Sequence, residues 1–289
     1  MDTDWECVVI GGGVAGLSAA LALGRARRRT LVLDRGGQSN RAAAHVGGLL
    51  GQEGTAPDEL YARGREQLAI YQSVVIRDAE AVDAFADGDG FVVMLGDGGG
   101  EVRTRTVILA TGMDYEVPDL PGFRELWGGA VFHCPFCHGW EVRDRPLVVY
   151  GDGEMAELQS ALLRGWSDDV TVVAPDELAR LRVEDGTLRA VVRHDGSEVA
   201  CDAILVHAPL RPRGRLPERL GLALTEHDLV EVDALGQTSV PGVYAAGDVA
   251  VAPQQVSIAL GSGHLAGVVA ARELLLSTAR TGQSRTATG

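Results

Sequence analysis

Several features are scarce in this 289-residue sequence, and each scarcity excludes a class of protein. Lys and Arg number 26 against 40 Asp and Glu, which gives a formal net charge of −14. Nucleic-acid binding requires clustered Lys and Arg to neutralise phosphates, so we expect no nucleic-acid partner.

No uninterrupted apolar run approaches the roughly 20 residues that cross a bilayer. The first residues, Met1 to Glu6, are acidic where a secretory signal would be basic. We therefore expect a cytoplasmic protein without a membrane partner.

Cysteine is also scarce, at four residues, which is too few for a disulfide framework in a chain of this length. Cys7 and Cys201 each stand alone in an apolar, strand-like run, and this context predicts buried core positions. Cys134 and Cys137 form a CxxC motif instead. In a reducing compartment this spacing indicates redox or ligand chemistry rather than a structural cross-link.

Glycine, by contrast, is abundant at 38 residues, and its first cluster predicts a nucleotide site. An apolar run ending at Ile10 leads into Gly11-x-Gly13-x-Ala15-Gly16, which an Ala- and Leu-rich helical stretch follows. Glycines at this spacing permit a tight turn, close approach of a pyrophosphate and close packing of helix on strand. The next predicted strand ends at Asp34, whose carboxylate is placed to accept hydrogen bonds from a ribose.

A second strand, loop and helix begins at Leu147 and contains Gly151 to Ala156, with the GxGxxA spacing of nicotinamide-binding loops. Asp152 and Glu154 lie within this loop, and their charge would weaken binding of a pyrophosphate. The repeat predicts an α/β fold with two Rossmann-like nucleotide-binding domains. We predict a discontinuous first domain, residues 1–115 and 243–289, and a smaller inserted domain, residues 116–242, that carries the CxxC motif.

The CxxC motif is open to three interpretations from the residues alone. Cys134 to His138 reads as CxxCH, the attachment motif of c-type haem, but that chemistry belongs to exported proteins. A zinc site would need a second pair of ligands, and Cys7 and Cys201 are isolated. A redox-active dithiol is the third interpretation, because a CxxC at a helix start can hold one sulfur as a thiolate. We favour the third and predict no metal site.

Motifs near both ends of the chain resemble the flavoprotein disulfide reductase superfamily. Ala110-Thr111-Gly112 follows a predicted strand, and a later strand runs into Gly247-Asp248 before a helix from about Gln255 to Leu276. In that superfamily the Gly-Asp aspartate meets the flavin. The resemblance implies FAD, and we expect its binding residues to be Gly11, Gly13, Ala15, Gly16, Asp34, Asn40, Arg41, Ala110, Thr111, Gly112, Gly247, Asp248, Gln255 and Val256.

Finer detail resembles the flavin dithiol oxidases that close the disulfides of gliotoxin and holomycin, a branch of the thioredoxin-reductase-like enzymes. Those enzymes carry Cys-Pro-aromatic-Cys-His-Gly, as does this chain from Cys134 to Gly139, and the segment Asn40 to Gly54 is similar to theirs. The chain lacks the His-Arg-Arg cluster with which NADPH-dependent thioredoxin reductases bind the 2′-phosphate.

The resemblance implies roles for the residues of the motif. Cys137 would pass electrons to the flavin and Cys134 would exchange with the substrate thiol, while His138 would act as acid and base, since imidazole titrates near neutrality. His45 and His133 are expected to be structural or to line the substrate site.

The leading functional hypothesis is a homodimeric FAD-dependent oxidase of a small-molecule dithiol, with O₂ as acceptor and H₂O₂ as product. The alternative is a disulfide reductase that draws electrons from NADPH or another donor. A flavin-binding redox sensor without turnover is a third hypothesis.

Overall fold

A computed structural model describes residues 5–286 of the chain, with side chains through Ser277. In chain order the strands are β1 (Trp5–Ile10), β2 (Thr30–Asp34), β3 (Val74–Asp78), β4 (Ala81–Asp87), β5 (Gly90–Leu95), β6 (Glu101–Leu109), β7 (Met113–Tyr115), β8 (Val131–Phe132), β9 (Leu147–Tyr150), β10 (Val170–Val173), β11 (Leu178–Glu184), β12 (Thr187–Arg193), β13 (Glu198–Ala200), β14 (Ala203–Val206), β15 (Leu210–Pro212) and β16 (Val243–Ala245). The helices are α1 (Val14–Arg25), α2 (Pro57–Leu68), α3 (Pro135–His138), α4 (Gly153–Leu163), α5 (Leu216–Arg219) and α6 (Val256–Thr286). Two 3-10 turns span Ser39–Ala42 and Gly247–Val249.

The chain forms two compact units. The first comprises Met1–Gln38, Asp58–Asp114 and Arg211–Gly289, and the second comprises Ser39–Pro57 and Tyr115–Leu210.

A seven-stranded sheet forms the centre of the first unit, in the order β3-β2-β1-β6-β5-β4, with β16 also paired to β6. Strands β3, β2, β1, β6 and β16 are parallel, whereas β4 and β5 join in antiparallel pairs. Parallel strands covered on both faces carry nearly continuous apolar runs. Cys7, Val8, Val9 and Ile10 fit this pattern, because all four are buried.

Helix α6 packs against α1 through small residues. A Cβ added at Gly263 would lie 2.1 Å from the carbonyl oxygen of Ala15, and one at Gly267 would lie 2.5 Å from that of Ala19. The segment Val256–Ser277 is long and apolar enough to cross a membrane by length and composition alone, and 44% of an apolar 18-residue stretch within it is buried inside the protein. The same segment packs on α1 through Gly263 and Gly267.

The second unit contains a four-stranded parallel sheet in the order β10-β9-β14-β8 and a three-stranded antiparallel sheet, β11-β12-β13. Apolar side chains of the two sheets, including Val148, Ile204 and Val191, share one core cluster. The strand–loop–helix unit predicted from Leu147 onward is β9 followed by α4. The α/β fold with two nucleotide-binding-type units is therefore confirmed.

The division between the units differs from the predicted boundaries in two places. Residues 211–242 group with the first unit rather than with the inserted one, because Leu216, Leu220 and Val230 are buried in the core cluster that contains Val8. The segment Ser39–Pro57 groups with the second unit rather than with the first.

Candidate active site

The first group of predicted site residues surrounds the glycine loop between β1 and α1. Gly11 has a φ of +115°, and a Cβ there would lie 2.1 Å from the Ala110 carbonyl oxygen. A Cβ on Gly16 would lie 1.8 Å from the Gly11 oxygen. Packing within the protein, rather than a ligand, therefore requires glycine at positions 11 and 16. Gly13 is different, since its φ is −74° and a Cβ there would meet nothing nearer than a Gln38 carbon at 3.8 Å. The open side of Gly13 is the space that a pyrophosphate would need.

Asp34 lies at the end of β2 beside this loop and is buried, with 4% of its surface exposed. A Cβ on Gly12 would lie 2.2 Å from its Oδ2, so the loop packs directly on the carboxylate. Arg65 of α2 donates from Nη2 to Asp34 Oδ2 at 2.5 Å, and the Gly36 N–H donates to Oδ1 at 2.8 Å. Arg65 was not among the predicted residues, because nothing in the pattern of α2 indicates which residue faces β2.

The segments Ala110–Gly112 and Gly247–Asp248 belong to the same unit. Ala110 contacts the Gly11 turn, as described above, and a Cβ on Gly247 would lie 2.8 Å from the Ala15 Cβ. The structure thus brings both segments to the glycine loop. Burial raises the pKa of Asp248 to about 6, against an opposing effect of Arg213. Arg213 itself forms an ion pair with Asp114 at 2.7 Å.

The remaining predicted cofactor residues divide between the units. Gln255 precedes α6 and its carbonyl accepts from the Ala259 N–H at 2.8 Å, while Val256 is the first residue of that helix. Asn40 and Arg41 lie in the 3-10 turn Ser39–Ala42 of the second unit. That these four residues bind the cofactor stays a prediction.

The CxxC motif forms a tight turn at the start of α3 in the second unit. Cys134 occupies the N-cap position, Pro135 is the first helical residue and Cys137 lies one turn on. The two Sγ atoms are 2.7 Å apart, so the pair can close to a disulfide with little movement. A Cβ on Gly47 would lie 2.8 Å from the Cys137 carbonyl oxygen, which shows that the segment Ser39–Pro57 packs directly on this turn.

His138 follows Cys137 and stacks on Phe132, with ring centroids 5.5 Å apart. Both of its ring nitrogens are buried without a hydrogen-bond partner among the described residues. Burial lowers the pKa of His138, whereas the Cys134 and Gly128 carbonyls and the Glu141 carboxylate act in the raising direction. An imidazole that is neutral near pH 7 and has an unused nitrogen can accept a proton.

Two further histidines lie in the second unit. His133 stacks against Tyr115 and Trp127, and burial followed by the charge of His138 lowers its pKa to about 4. His45 contacts Glu141, with His45 Nε2 and Glu141 Oε1 3.0 Å apart. Glu141 was not among the predicted site residues, because its partner is 96 residues away in the chain.

The second glycine loop, between β9 and α4, keeps both of its acidic side chains exposed. Asp152 is the N-cap residue of α4 without a side-chain capping bond, and Glu154 lies in the first turn. Arg182, one of the two arginines nearest to the end of β10 in sequence, pairs with Glu184 and Glu198. A pyrophosphate at this loop would therefore meet two carboxylates. Among residues 5–286, no group of three or more His, Cys, Asp and Glu residues is arranged to hold a metal ion.

Comparisons with known proteins agree with this arrangement. A family model described as pyridine nucleotide-disulphide oxidoreductase matches residues 5–183 and 167–263. The chain is 34% identical to thioredoxin reductase tcpT of Claviceps purpurea, with 93% of this chain and 94% of that protein covered. It is 31% identical to thioredoxin reductase sirT of Leptosphaeria maculans, with coverage of 91% and 92%.

Solved structures are also similar to this chain over nearly its whole length. The crystal structure of HlmI matches with a TM-score of 0.92 and 36% identity, covering 100% of this chain and 98% of that one. An oxidoreductase from Agrobacterium tumefaciens matches with a TM-score of 0.86 and 34% identity, covering 95% and 99%.

Proposed function

The chain belongs to the pyridine nucleotide-disulphide oxidoreductase family and is a thiol/disulfide oxidoreductase, and we propose that it uses FAD to oxidise a small-molecule dithiol. The substrate dithiol and O₂ are converted to an intramolecular disulfide and H₂O₂. Family membership implies a flavin, and the identity of the flavin as FAD, the acceptor O₂ and the substrate class are the proposed parts.

One observation carries the choice of an oxidase over a nicotinamide-dependent reductase. The loop that would bind a nicotinamide pyrophosphate holds the acidic residues Asp152 and Glu154, and both are exposed. Like charge opposes anion binding at such a loop. Electrons therefore enter through the cysteine pair from a thiol substrate, and no nicotinamide is required.

The residues of the first unit fit FAD. Gly13 leaves space for the pyrophosphate, and buried Asp34 lies at the strand end where a ribose is bound. Gln38 Oε1 and Thr111 Oγ1 are buried without a hydrogen-bond partner among the described residues, so both are available to a ligand. Two-electron transfer between the cysteine pair and O₂ is the chemistry that bound FAD supplies.

The cysteine pair performs the thiol chemistry in two exchanges. A substrate thiol loses its proton to His138, and the thiolate attacks Cys134 Sγ of the Cys134–Cys137 disulfide, releasing Cys137 as thiolate. The second substrate thiol then attacks the substrate sulfur of the mixed disulfide and its proton goes to the departing Cys134 sulfur, which releases the substrate disulfide and Cys134 as a thiol. The substrate loses two electrons and two protons, and the cysteine pair gains the electrons.

A homodimer is part of the proposal, and α6 supports it. Leu265, Val268, Leu275 and Leu276 follow helical spacing along α6, and 38% to 48% of each is exposed. An exposed apolar stripe along a helix is typical of a surface that a partner covers.

A second candidate function rests on the second glycine loop itself. Gly151 to Ala156 keeps the spacing of a nicotinamide site and lies between β9 and α4, as such a site requires. If NADPH binds there despite the two carboxylates, the protein is a disulfide reductase.

Serine variants of the cysteine pair test the proposed function. Cys134→Ser and Cys137→Ser should each abolish dithiol-dependent O₂ consumption while FAD stays bound, and Cys201→Ala, which removes a buried cysteine of the same unit, should retain turnover. The wild type should form one H₂O₂ for each dithiol oxidised. Normal turnover by either serine variant would show that the cysteine pair does not carry the reaction.

A further inference from the structure

A histidine and a glutamate beside the CxxC turn have no part in the chemistry described so far. His45 lies in the segment Ser39–Pro57, which the Gly47 contact with the Cys137 carbonyl fixes on the turn. Glu141 lies three residues beyond His138, and its backbone N–H donates to the His138 carbonyl at 3.2 Å. Both side chains are 34% exposed. The pair therefore lies between the CxxC turn and solvent.

A hydrogen bond joins the two side chains, with His45 Nε2 and Glu141 Oε1 3.0 Å apart. A carboxylate can only accept, so the tautomer of His45 that carries its hydrogen on Nε2 donates to Glu141. The other oxygen, Oε2, is buried and has no hydrogen-bond partner among the described residues. A buried carboxylate oxygen without a partner is costly unless a positive charge or a donor forms beside it.

His138 is the group at which such a charge can form. Its ring nitrogens are buried and lack partners among residues 5–286, and the Glu141 carboxylate favours its protonated form. His45, when protonated, disfavours that form, and His133 is kept neutral near pH 7 by its buried position. The groups that act on the charge of His138 are thus the Cys134 and Gly128 carbonyls, His45, His133 and Glu141, and Glu141 is the one carboxylate among them.

We infer that Glu141, held by His45, is a positioning residue that stabilises the imidazolium formed when His138 accepts the proton of the substrate thiol. This inference rests on the proposed function. In the step, the substrate S–H bond breaks and an N–H bond forms on His138. The thiolate then bonds to Cys134 Sγ as the Cys134–Cys137 bond breaks, and Cys137 leaves as thiolate. The negative charges of the released Cys137 thiolate and of Glu141 both stabilise the imidazolium against the cost of a charge in the buried turn.

Four variants of the FAD-loaded protein separate this role from a packing role. Glu141→Gln removes the charge and keeps the shape. His45→Ala removes the donor that orients the carboxylate, whereas His45→Gln keeps an N–H donor. Glu125→Gln changes an exposed glutamate of the same unit and serves as the matched control.

The first readout is the pKa of His138, followed by NMR of histidine labelled with ¹³C at ring carbon Cε1 and assigned with His138→Gln. Removing a nearby carboxylate should lower this pKa by about one unit, equal to a tenfold weaker proton affinity. Glu125→Gln should leave it unchanged. This readout does not depend on turnover, and an unchanged pKa in Glu141→Gln overturns the inference whatever the protein oxidises.

The second readout is the anaerobic rate of flavin reduction by dithiothreitol between pH 5 and 9. In Glu141→Gln the acid limb should move about one unit lower, and the plateau should fall roughly threefold to tenfold because His138 becomes a weaker base. His45→Ala and His45→Gln both remove the opposing effect of His45 on the charge of His138, so they differ in whether an N–H donor orients Glu141. The acid limb should therefore lie lower in His45→Ala than in His45→Gln. A lower rate with an unmoved pH midpoint would indicate a packing role and overturn the inference.

The two proposals fail in different ways. If dithiothreitol does not reduce the wild-type flavin at any pH, the proposed function fails, and the NMR titration still decides whether Glu141 acts on His138.

Discussion

Two glycines of the first loop, only three residues apart, should respond in opposite ways to the addition of one methyl group. At Gly16 a Cβ would lie 1.8 Å from the Gly11 oxygen and 3.3 Å from Val9 Cγ1, so Gly16→Ala must push α1 away from β1. At Gly13 the nearest atom is the Gln38 carbon at 3.8 Å, and the backbone conformation suits alanine. The first change therefore damages the fold, and the second changes only the space that faces a ligand.

The magnitudes follow from overpacking. Forcing a methyl group into a filled site costs about 1–3 kcal/mol, and the short contact at Gly16 places that variant near 3 kcal/mol. At about 2–4 °C for each kcal/mol, Gly16→Ala should unfold roughly 6–12 °C below the wild type. Gly13→Ala should stay within about 1 kcal/mol of wild-type stability, since it only replaces a helix N-cap glycine. Its FAD affinity should fall about thirtyfold, equal to about 2 kcal/mol, because the methyl group occupies pyrophosphate space.

Thermal unfolding of the flavin-free proteins and FAD titration by quenching of flavin fluorescence measure the two effects separately. A Gly13→Ala protein that binds FAD within threefold of the wild type would refute the placement of the pyrophosphate. An unchanged unfolding temperature for Gly16→Ala would refute the close contact between α1 and the loop.

Two further predictions concern thiols and pH. Burial raises the pKa of Cys7 and of Cys201 to about 12, so a disulfide reagent at pH 8 should titrate only Cys134 and Cys137 in the reduced native protein, and a third reactive thiol would contradict this. For Asp248, burial raises the folded-state pKa from 3.8 to about 6, so its stabilising effect is complete below about pH 4 and is lost as pH rises through 6. In denaturant unfolding of the flavin-free protein, replacing Asp248 by Asn should remove about 2 kcal/mol of this pH dependence between pH 4 and pH 7, and an identical pH dependence in the variant would show that Asp248 is not its source.

The glycine loop and its strand ends could be predicted because they depend on local rules. The spacing of Gly11, Gly13 and Gly16 after an apolar strand specifies a turn and a helix start, and parallel strands place Asp34 at the same sheet edge. The contact of Arg65 with Asp34 could not be predicted, because it depends on how α2 is rotated about its axis.

The environment of the CxxC turn could be predicted only in part. The motif itself indicated a redox pair and an adjacent histidine, and the structure places the two sulfur atoms together. The pairing of His45 with Glu141 spans 96 residues and joins a loop to a turn, so no hydrophobic periodicity in the sequence indicates it. The same limit explains the domain boundary, since Leu216 enters the core of the first unit by tertiary packing alone.

In the proposed function electrons enter this protein from a small dithiol rather than from a nicotinamide, and anaerobic reduction of the bound flavin distinguishes the two donors. Excess dithiothreitol is added to one sample and excess NADPH to another, and loss of the oxidised flavin absorbance is followed. We predict bleaching by the dithiol alone, then recovery with formation of H₂O₂ when air is admitted. Rapid bleaching by NADPH would contradict the account and make disulfide reduction the function.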